Sequence, residues 1–332
     1  MHQIYGFSQK QRLGQNVTRP RIDDPLHRRV IFRKNLRELW VAFHARGQDF
    51  LNELPEIHQD LPVSPQLFQT LFSLTSDQSS SSLVDIAKVI EKDQGLTVRV
   101  LTMANSAYYG LQSQVGSVHR AVMILGLQEV RKLLLLLNIR SLEQRLDADI
   151  FDVSSHWRHQ VDVAHAVKIM AGHAPGTDPE ELFTIGLLHD LGKMITALYR
   201  PDDWKAILAL CAAKNVPLFV AEDAYWGLDH ALIGAMTLKS WFLPASLTEP
   251  INWHHAPGLA KDFEVQARMI RLADVLVRHQ LDQHSRDWPE KNLPAKDIRD
   301  LRLPEDLEQN LIPEMRASGR TDQFLRSLGI AA

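Results

Sequence analysis

A single cysteine, Cys211, is all the sequence contains. No disulfide can close within the chain, and a reducing compartment is the expected setting. There is no run of about 18 apolar residues of the kind that crosses a bilayer; the leucine run Leu133–Leu137 is five residues long. The opening stretch MHQIYGFSQKQRLGQ lacks the apolar centre of a secretory signal. Together these absences predict a cytoplasmic protein with no membrane span. Strand signals are missing as well, with no Asn-Gly hairpin and no long period-two alternation. No repeat with a period of roughly 20–50 residues is present, which excludes solenoids and propellers.

What remains is an ordinary globular composition. The 332 residues are 45% hydrophobic and 23% charged, enough to build a core that needs neither disulfide nor metal. The formal charge of -3 conceals an asymmetry: residues 1–40 hold nine Lys or Arg against Asp23, Asp24 and Glu38, a net of +6 that leaves -9 elsewhere. A basic arm over residues 1–27 can track phosphate, dock on an acidic body or keep the chain soluble. Few aromatics interleave its charges for base stacking, so nucleic acid is not the expected partner.

Apolar residues recur at helical spacing nearly throughout, and the sequence predicts an all-α protein. Expected helices cover 28–53, Pro65–Leu74, a segment capped by one of Ser79–Ser82 and ended by Gly95, Leu96–Ser106, 117–127, 128–143 and 155–171. They continue over 180–200, 202–214, 218–226, 230–242, 245–255 with Pro250 inside, and 264–282. Residues 285–296 read as a linker before one or two closing helices. Gly126 and Gly234 are expected to permit close helix approach, and Leu133–Leu137 to be core. Asn105 and Ser106 are expected to fix the turn toward Tyr108 by bonding to backbone.

Fifteen histidines are unevenly placed. His159, His189, His230, His254 and His255 fall beside apolar residues in the second half, joined by Asp190 and, within MIRLADVL, Asp274. An ionised Asp on an apolar face calls for a metal, a cation or a hydrogen-bond network. Histidine with Asp suits zinc, iron, manganese or cobalt, and helix-borne ligands of this kind build centres inside bundles. The plainer readings are an Asp190 that accepts backbone bonds and an Asp274 that pairs with Arg271 or Arg278 on its own helix. His156, His165, His173, His279 and His284 are read as surface or hydrogen-bonded core residues.

The order His159, His189-Asp190, Asp274 resembles the H…HD…D hallmark of the HD superfamily of metal-dependent phosphohydrolases, with GLLHDLGK at its heart. The added His230 and His254-His255 are similar to the dinuclear HD-GYP branch. HHAP stands where that branch has HHE, and no Gly-Tyr-Pro segment follows. A closer resemblance covers about 61–280: LTMANSAYY, SVHRAVMILGL, WRHQVDVA, GLLHDLGK, DHALIGAMTLKSWFLP and HHAP are similar to the HDOD domain of bacterial signalling proteins. Asp93-Gln94 replaces the Asp-Pro frequent there.

The resemblance implies a two-lobed helical bundle: an N-terminal lobe over 28–150, an HD-like bundle over 151–284, and a linker with closing helices over 285–332. It implies a regulatory signalling module with a retained metal-capable HD site, alternatively a phosphohydrolase acting on a nucleotide or cyclic dinucleotide. It further implies a divalent metal (iron, manganese or zinc), dinuclear when complete. A first ion would take His159, His189, Asp190 and Asp274; a second would share Asp190 and add His230, His254 and His255. Asp190 and Lys193 would be the catalytic pair, with Lys193 contacting a phosphate or else facing solvent. The partner would be a signalling protein or a phosphorylated small molecule.

Overall fold

Six of the helix starts among the described residues are set by short polar side chains. In the computed structural model, Ser82 and Asp85 form a reciprocal capping box that opens α1, Leu83–Ile90. Asp93 caps α2, Gln94–Ala104, by accepting from the Leu96 amide at 2.9 Å. Ser117 caps α3, Val118–Glu143, and Asp152 caps α4, Val153–Ala171. Asp178 caps α5, Pro179–Leu188, with proline in its first turn. Then follow α6, Leu191–Tyr199; α7, Pro201–Lys214; α8, Leu218–Trp226; α9, His230–Ser240, capped by Asp229; α10, Ala245–Trp253; and α11, Glu264–Gln280. The chain closes with α12, Ala295–Asp300; α13, Leu307–Ser318; and α14, Arg320–Ser327.

The structure describes residues 46–54, 56, 70, 82–106, 108–109, 114–241, 243–280, 295–304 and 306–330. No strand occurs among them, and the fold is all-α. No single helix among them is long and apolar enough to cross a membrane. The basic arm, the expected helix over Pro65–Leu74, most of the linker over 285–296, and His284 lie outside the described residues.

α1 and α2 pack on α3, while α4 packs on α5 and α11, and α9 on both α6 and α10. All belong to one compact unit, Phe43–Ala332. Its core includes Leu133–Leu136, Trp157, Phe183 and Trp226. Asn105 behaves as expected, donating to the Leu101 and Val115 carbonyls and accepting from the Val115 amide.

Four local expectations need correction. Gly95 lies in the first turn of α2 rather than at the end of α1, because the Asp93 cap restarts the helix earlier. Gly126 is needed for its φ of +76°, which breaks α3, and not for close approach, since a Cβ there would meet nothing within 4 Å. The stretch 180–200 is two helices broken at His189-Asp190. Three helices, not one or two, close the chain.

Candidate metal centre

The break between α5 and α6 makes the site. A helix end leaves carbonyls without intrahelical partners. At the end of α5, His189 uses Nδ1–H to reach the Gly186 carbonyl at 2.7 Å. His254, at the end of α10, repeats the device on the Ile251 carbonyl at 2.7 Å. His230, first residue of α9, gives Nδ1–H to the Glu222 carboxylate at 2.6 Å, and the same oxygen accepts the His230 backbone N–H at 2.9 Å. A carbonyl or carboxylate oxygen can only accept here, so Nδ1 carries the proton in all three rings and Nε2 points into the pocket.

All seven expected donors converge. Around one centre, His159 Nε2 lies 2.9 Å from Asp274 Oδ1 and 3.6 Å from Asp190 Oδ2. His189 Nε2 lies 3.4 Å from Asp190 Oδ2 and 3.7 Å from Asp274 Oδ1. Around the other, Asp190 Oδ1 stands 3.0 Å from His230 Nε2 and 3.9 Å from His254 Nε2, while His255 Nε2 is 2.8 Å from His230 Nε2. Ligands at about 2.0–2.2 Å from a common ion are spaced in this way. Asp190 serves both groups, one oxygen to each.

The donor chemistry fits a divalent metal. His189, Asp190 and His254 are essentially fully buried, yet His189 Nε2, His254 Nε2 and Asp190 Oδ1 have no hydrogen-bond partner. Buried polar atoms are rarely left so, and such donors suit a cation: His254 Nε2 and Asp190 Oδ1 in the second group, and in the first His189 Nε2, whose proton a metal would displace. The Nδ1 atoms of His189, His230 and His254 are held by acceptors, as the outer nitrogens of metal-bound histidines are.

Two cations already serve the carboxylates. Lys193 Nζ is 2.5 Å from Asp190 Oδ2, so its ammonium is bonded inside the site instead of standing free in solvent. Arg278 donates Nε–H to Asp274 Oδ1 at 2.7 Å and a terminal N–H to Asp190 Oδ2 at 3.0 Å; that nitrogen is also 3.2 Å from His159 Nε2. The plainer pairing of Asp274 with Arg278 therefore coexists with the metal-like cluster. Burial works against both charged carboxylates, but His189, Lys193 and His230 around Asp190, and Arg278 with His159 and His189 around Asp274, hold both well below the usual range.

Glu222 and Arg278 were not expected as site residues. Glu222 has no exposed surface and fixes the His230 ring. Its one sequence trace is the carboxylate pair Glu222-Asp223 within the otherwise apolar LFVAEDAYW. His156 fits its plain reading, packing edge-on against Phe151, and so does His165, hydrogen-bonded to Thr321. His173 and His279 are exposed.

Burial holds most of these imidazoles neutral. The values fall to about 4 for His159 and His165 and about 3 for His156 and His254. An unfolded histidine takes a proton near 6.5. Between pH 6.5 and 4 the unfolded chain therefore binds protons that the folded chain refuses, and stability falls as pH falls. The expected loss is about 1.4 kcal/mol per pH unit for each such histidine. Urea midpoints of metal-free protein should drop steeply from pH 7 to pH 5; flat midpoints would show that these rings are not held neutral. His189 has the opposite sign: burial opposes its charge, but Asp190 and Asp274 lift it to about 9, so its contribution is full below pH 6.5 and fades toward pH 9.

The profile of the HDOD domain family matches residues 61–257, more than half the chain. The chain belongs to the HDOD family. A Treponema pallidum protein of uncharacterized role is 24% identical over 221 residues, covering 64% of this chain. This chain spans only 42% of that relative's length. Two solved structures share the fold. One, from Shewanella amazonensis SB2B and named as a candidate phosphohydrolase, has a TM-score of 0.65 at 24% identity, covering 84% of this chain and 97% of its own. The other, from Marinobacter aquaeolei VT8 and named as a candidate signal-transduction protein, has a TM-score of 0.67 at 22% identity, covering 86% of this chain and 66% of its own.

Proposed function

We propose that this HDOD protein is a cytoplasmic regulatory module whose HD-type centre binds a divalent metal (iron, manganese or zinc), with the division into lobes near residue 150 separating that centre from the N-terminal helices. The observation that carries the reading is the set of buried, unbonded polar atoms on His189, His254 and Asp190. The likeness to a candidate signal-transduction protein agrees with a regulatory role, exercised on a signalling protein or a phosphorylated small molecule.

Hydrolysis of a phosphoester, such as a nucleotide or cyclic dinucleotide, is the second reading. It is favoured by two adjacent donor groups, His159, His189, Asp190 and Asp274 beside His230, His254 and His255, with Asp190 Oδ1 3.0 Å from His230 Nε2, an arrangement that would suit two ions acting on a phosphoryl group and a water. In that reading Glu222 and the Gly186 and Ile251 carbonyls orient the imidazoles, and Asp190 bridges. Lys193 would leave Asp190 Oδ2 to meet a phosphate oxygen as a point charge.

Reconstitution with iron, manganese or zinc, desalting and elemental analysis test the metal reading. A phosphoester hydrolysis screen on the loaded protein separates the two roles, with turnover favouring the enzyme. Glu222→Ala is expected to weaken metal binding by roughly 10–100-fold, since the His230 ring loses the acceptor that orients it. Competition titration against a chelator measures this. An unchanged affinity would show that Glu222 is a structural carboxylate only.

A further inference from the structure

Asp190 divides its two oxygens between unlike neighbours. Oδ1 faces imidazole nitrogens, at 3.0 Å from His230 and 3.9 Å from His254. Oδ2 faces Lys193 Nζ at 2.5 Å and the Arg278 guanidinium at 3.0 Å. Arg278 also holds Asp274 Oδ1 at 2.7 Å and touches His159 Nε2 at 3.2 Å. Its guanidinium thus contacts three of the four donors in the His159, His189, Asp190, Asp274 group.

Resting on the metal-binding reading above, we propose that Arg278 is a built-in cation that closes this first group to metal. The centre then holds one resident divalent ion, on His230, His254, His255 and Asp190 Oδ1.

The chemistry follows from what a guanidinium is. It carries donors only, stays protonated at any working pH, and cannot leave by losing charge. A metal in the first group needs the same lone pairs on Asp274 Oδ1, Asp190 Oδ2 and His159 Nε2 that Arg278 occupies. It would also sit against a fixed positive charge in a poorly solvated pocket, where repulsion is weakly screened. Arg278 is anchored one helical turn after Asp274 on α11, and only 11% of its side chain is exposed, so retreat into solvent requires rearrangement.

The second group lacks that obstacle. Its Asp190 oxygen and His254 Nε2 have no hydrogen-bond partner. The two Nε2 atoms of His230 and His255, 2.8 Å apart, need a proton or a cation to reconcile their lone pairs. Charge balance points the same way. With the imidazoles neutral, as metal ligation requires, Asp190, Asp274 and Glu222 are three buried carboxylates, against the two fixed cations Lys193 and Arg278. One divalent ion takes this set from -1 to +1, whereas two would take it to +3.

The test is metal stoichiometry on the full chain, after loading with excess manganese or zinc and desalting. Wild type should retain one equivalent, and Arg278→Met, which keeps the stem and drops the charge, should retain two. Electron paramagnetic resonance of manganese-loaded wild type should show an isolated ion, a reading that does not depend on the variant folding. Two equivalents in wild type, a spin-coupled pair, or a folded Arg278→Met still at one equivalent would overturn the role of Arg278 and leave metal binding intact. Wild type retaining none would defeat the metal-binding reading and this inference with it.

Discussion

Asp190→Ala is expected to retain no divalent metal after reconstitution, where wild type retains at least one equivalent, while far-ultraviolet circular dichroism stays helical. The side chain belongs to the first donor group through Oδ2 and places Oδ1 3.0 Å from His230 Nε2, so its loss opens the first group and takes a carboxylate oxygen from the three histidines of the second. The same change takes from Lys193 its bonded carboxylate and from Arg278 one of its two, and both cations are about nine-tenths buried. Removing one partner of a buried ion pair costs roughly 3–5 kcal/mol, and the lower end is expected because both cations keep some contact with water. Urea unfolding measures the stability, and elemental analysis the metal. Wild-type metal content in the variant would mean that Asp190 is only a structural acceptor.

Gly192→Ala is the second large effect. A Cβ at this position would lie 2.0 Å from the His230 carbonyl oxygen and 2.8 Å from the Gly234 amide nitrogen. Both obstacles are backbone, so no rotamer relieves them, and α6 must part from α9. Forced overpacking costs typically 1–3 kcal/mol, and a clash with backbone belongs at or above the upper end, about 3 kcal/mol. Separation also draws His230 away from Asp190, so metal affinity should fall with stability. Gly126→Ala is the control: its strain comes from the backbone alone, φ +76° with ψ 171°, a region essentially only glycine adopts, at about 1–3 kcal/mol, and the metal centre should be untouched. Equal metal affinity in wild type and Gly192→Ala would show that the α6–α9 contact does not set the site.

The seven donors were legible because the H…HD…D order survives as spacing in the sequence, whatever the helix boundaries. The break at His189-Asp190 was not. Apolar residues run unbroken through GLLHDLGK, and periodicity cannot register that His189 turns back onto the Gly186 carbonyl. That turn depends on the distant contact between Gly192 and His230. Glu222 escaped for a related reason: a glutamate on a short helix is ordinarily solvated, and its burial becomes readable only once His230 is known to stand on it.

Arg278 shows a different limit. The sequence offered Asp274 two fates, ion pair or metal ligand, as alternatives. Spacing of four along α11 brings Arg278 onto Asp274, and the meeting of α4, α6 and α11 then carries the same guanidinium to Asp190 and His159. The first step is local and readable; the second belongs to packing. The separation of 117–127 from 128–143 is legible in the sequence, but the close approach expected of Gly126 is not what the structure uses it for, because residue type does not distinguish space from backbone angle.

An anomalous-difference map from crystals of zinc- or manganese-reconstituted protein tests the central claim most directly. A peak is expected at direct bonding distance, about 2.0–2.2 Å, from the Nε2 atoms of His230, His254 and His255 and from Asp190 Oδ1. A map with no peak among the seven donors, from crystals that had been loaded with metal, would contradict it.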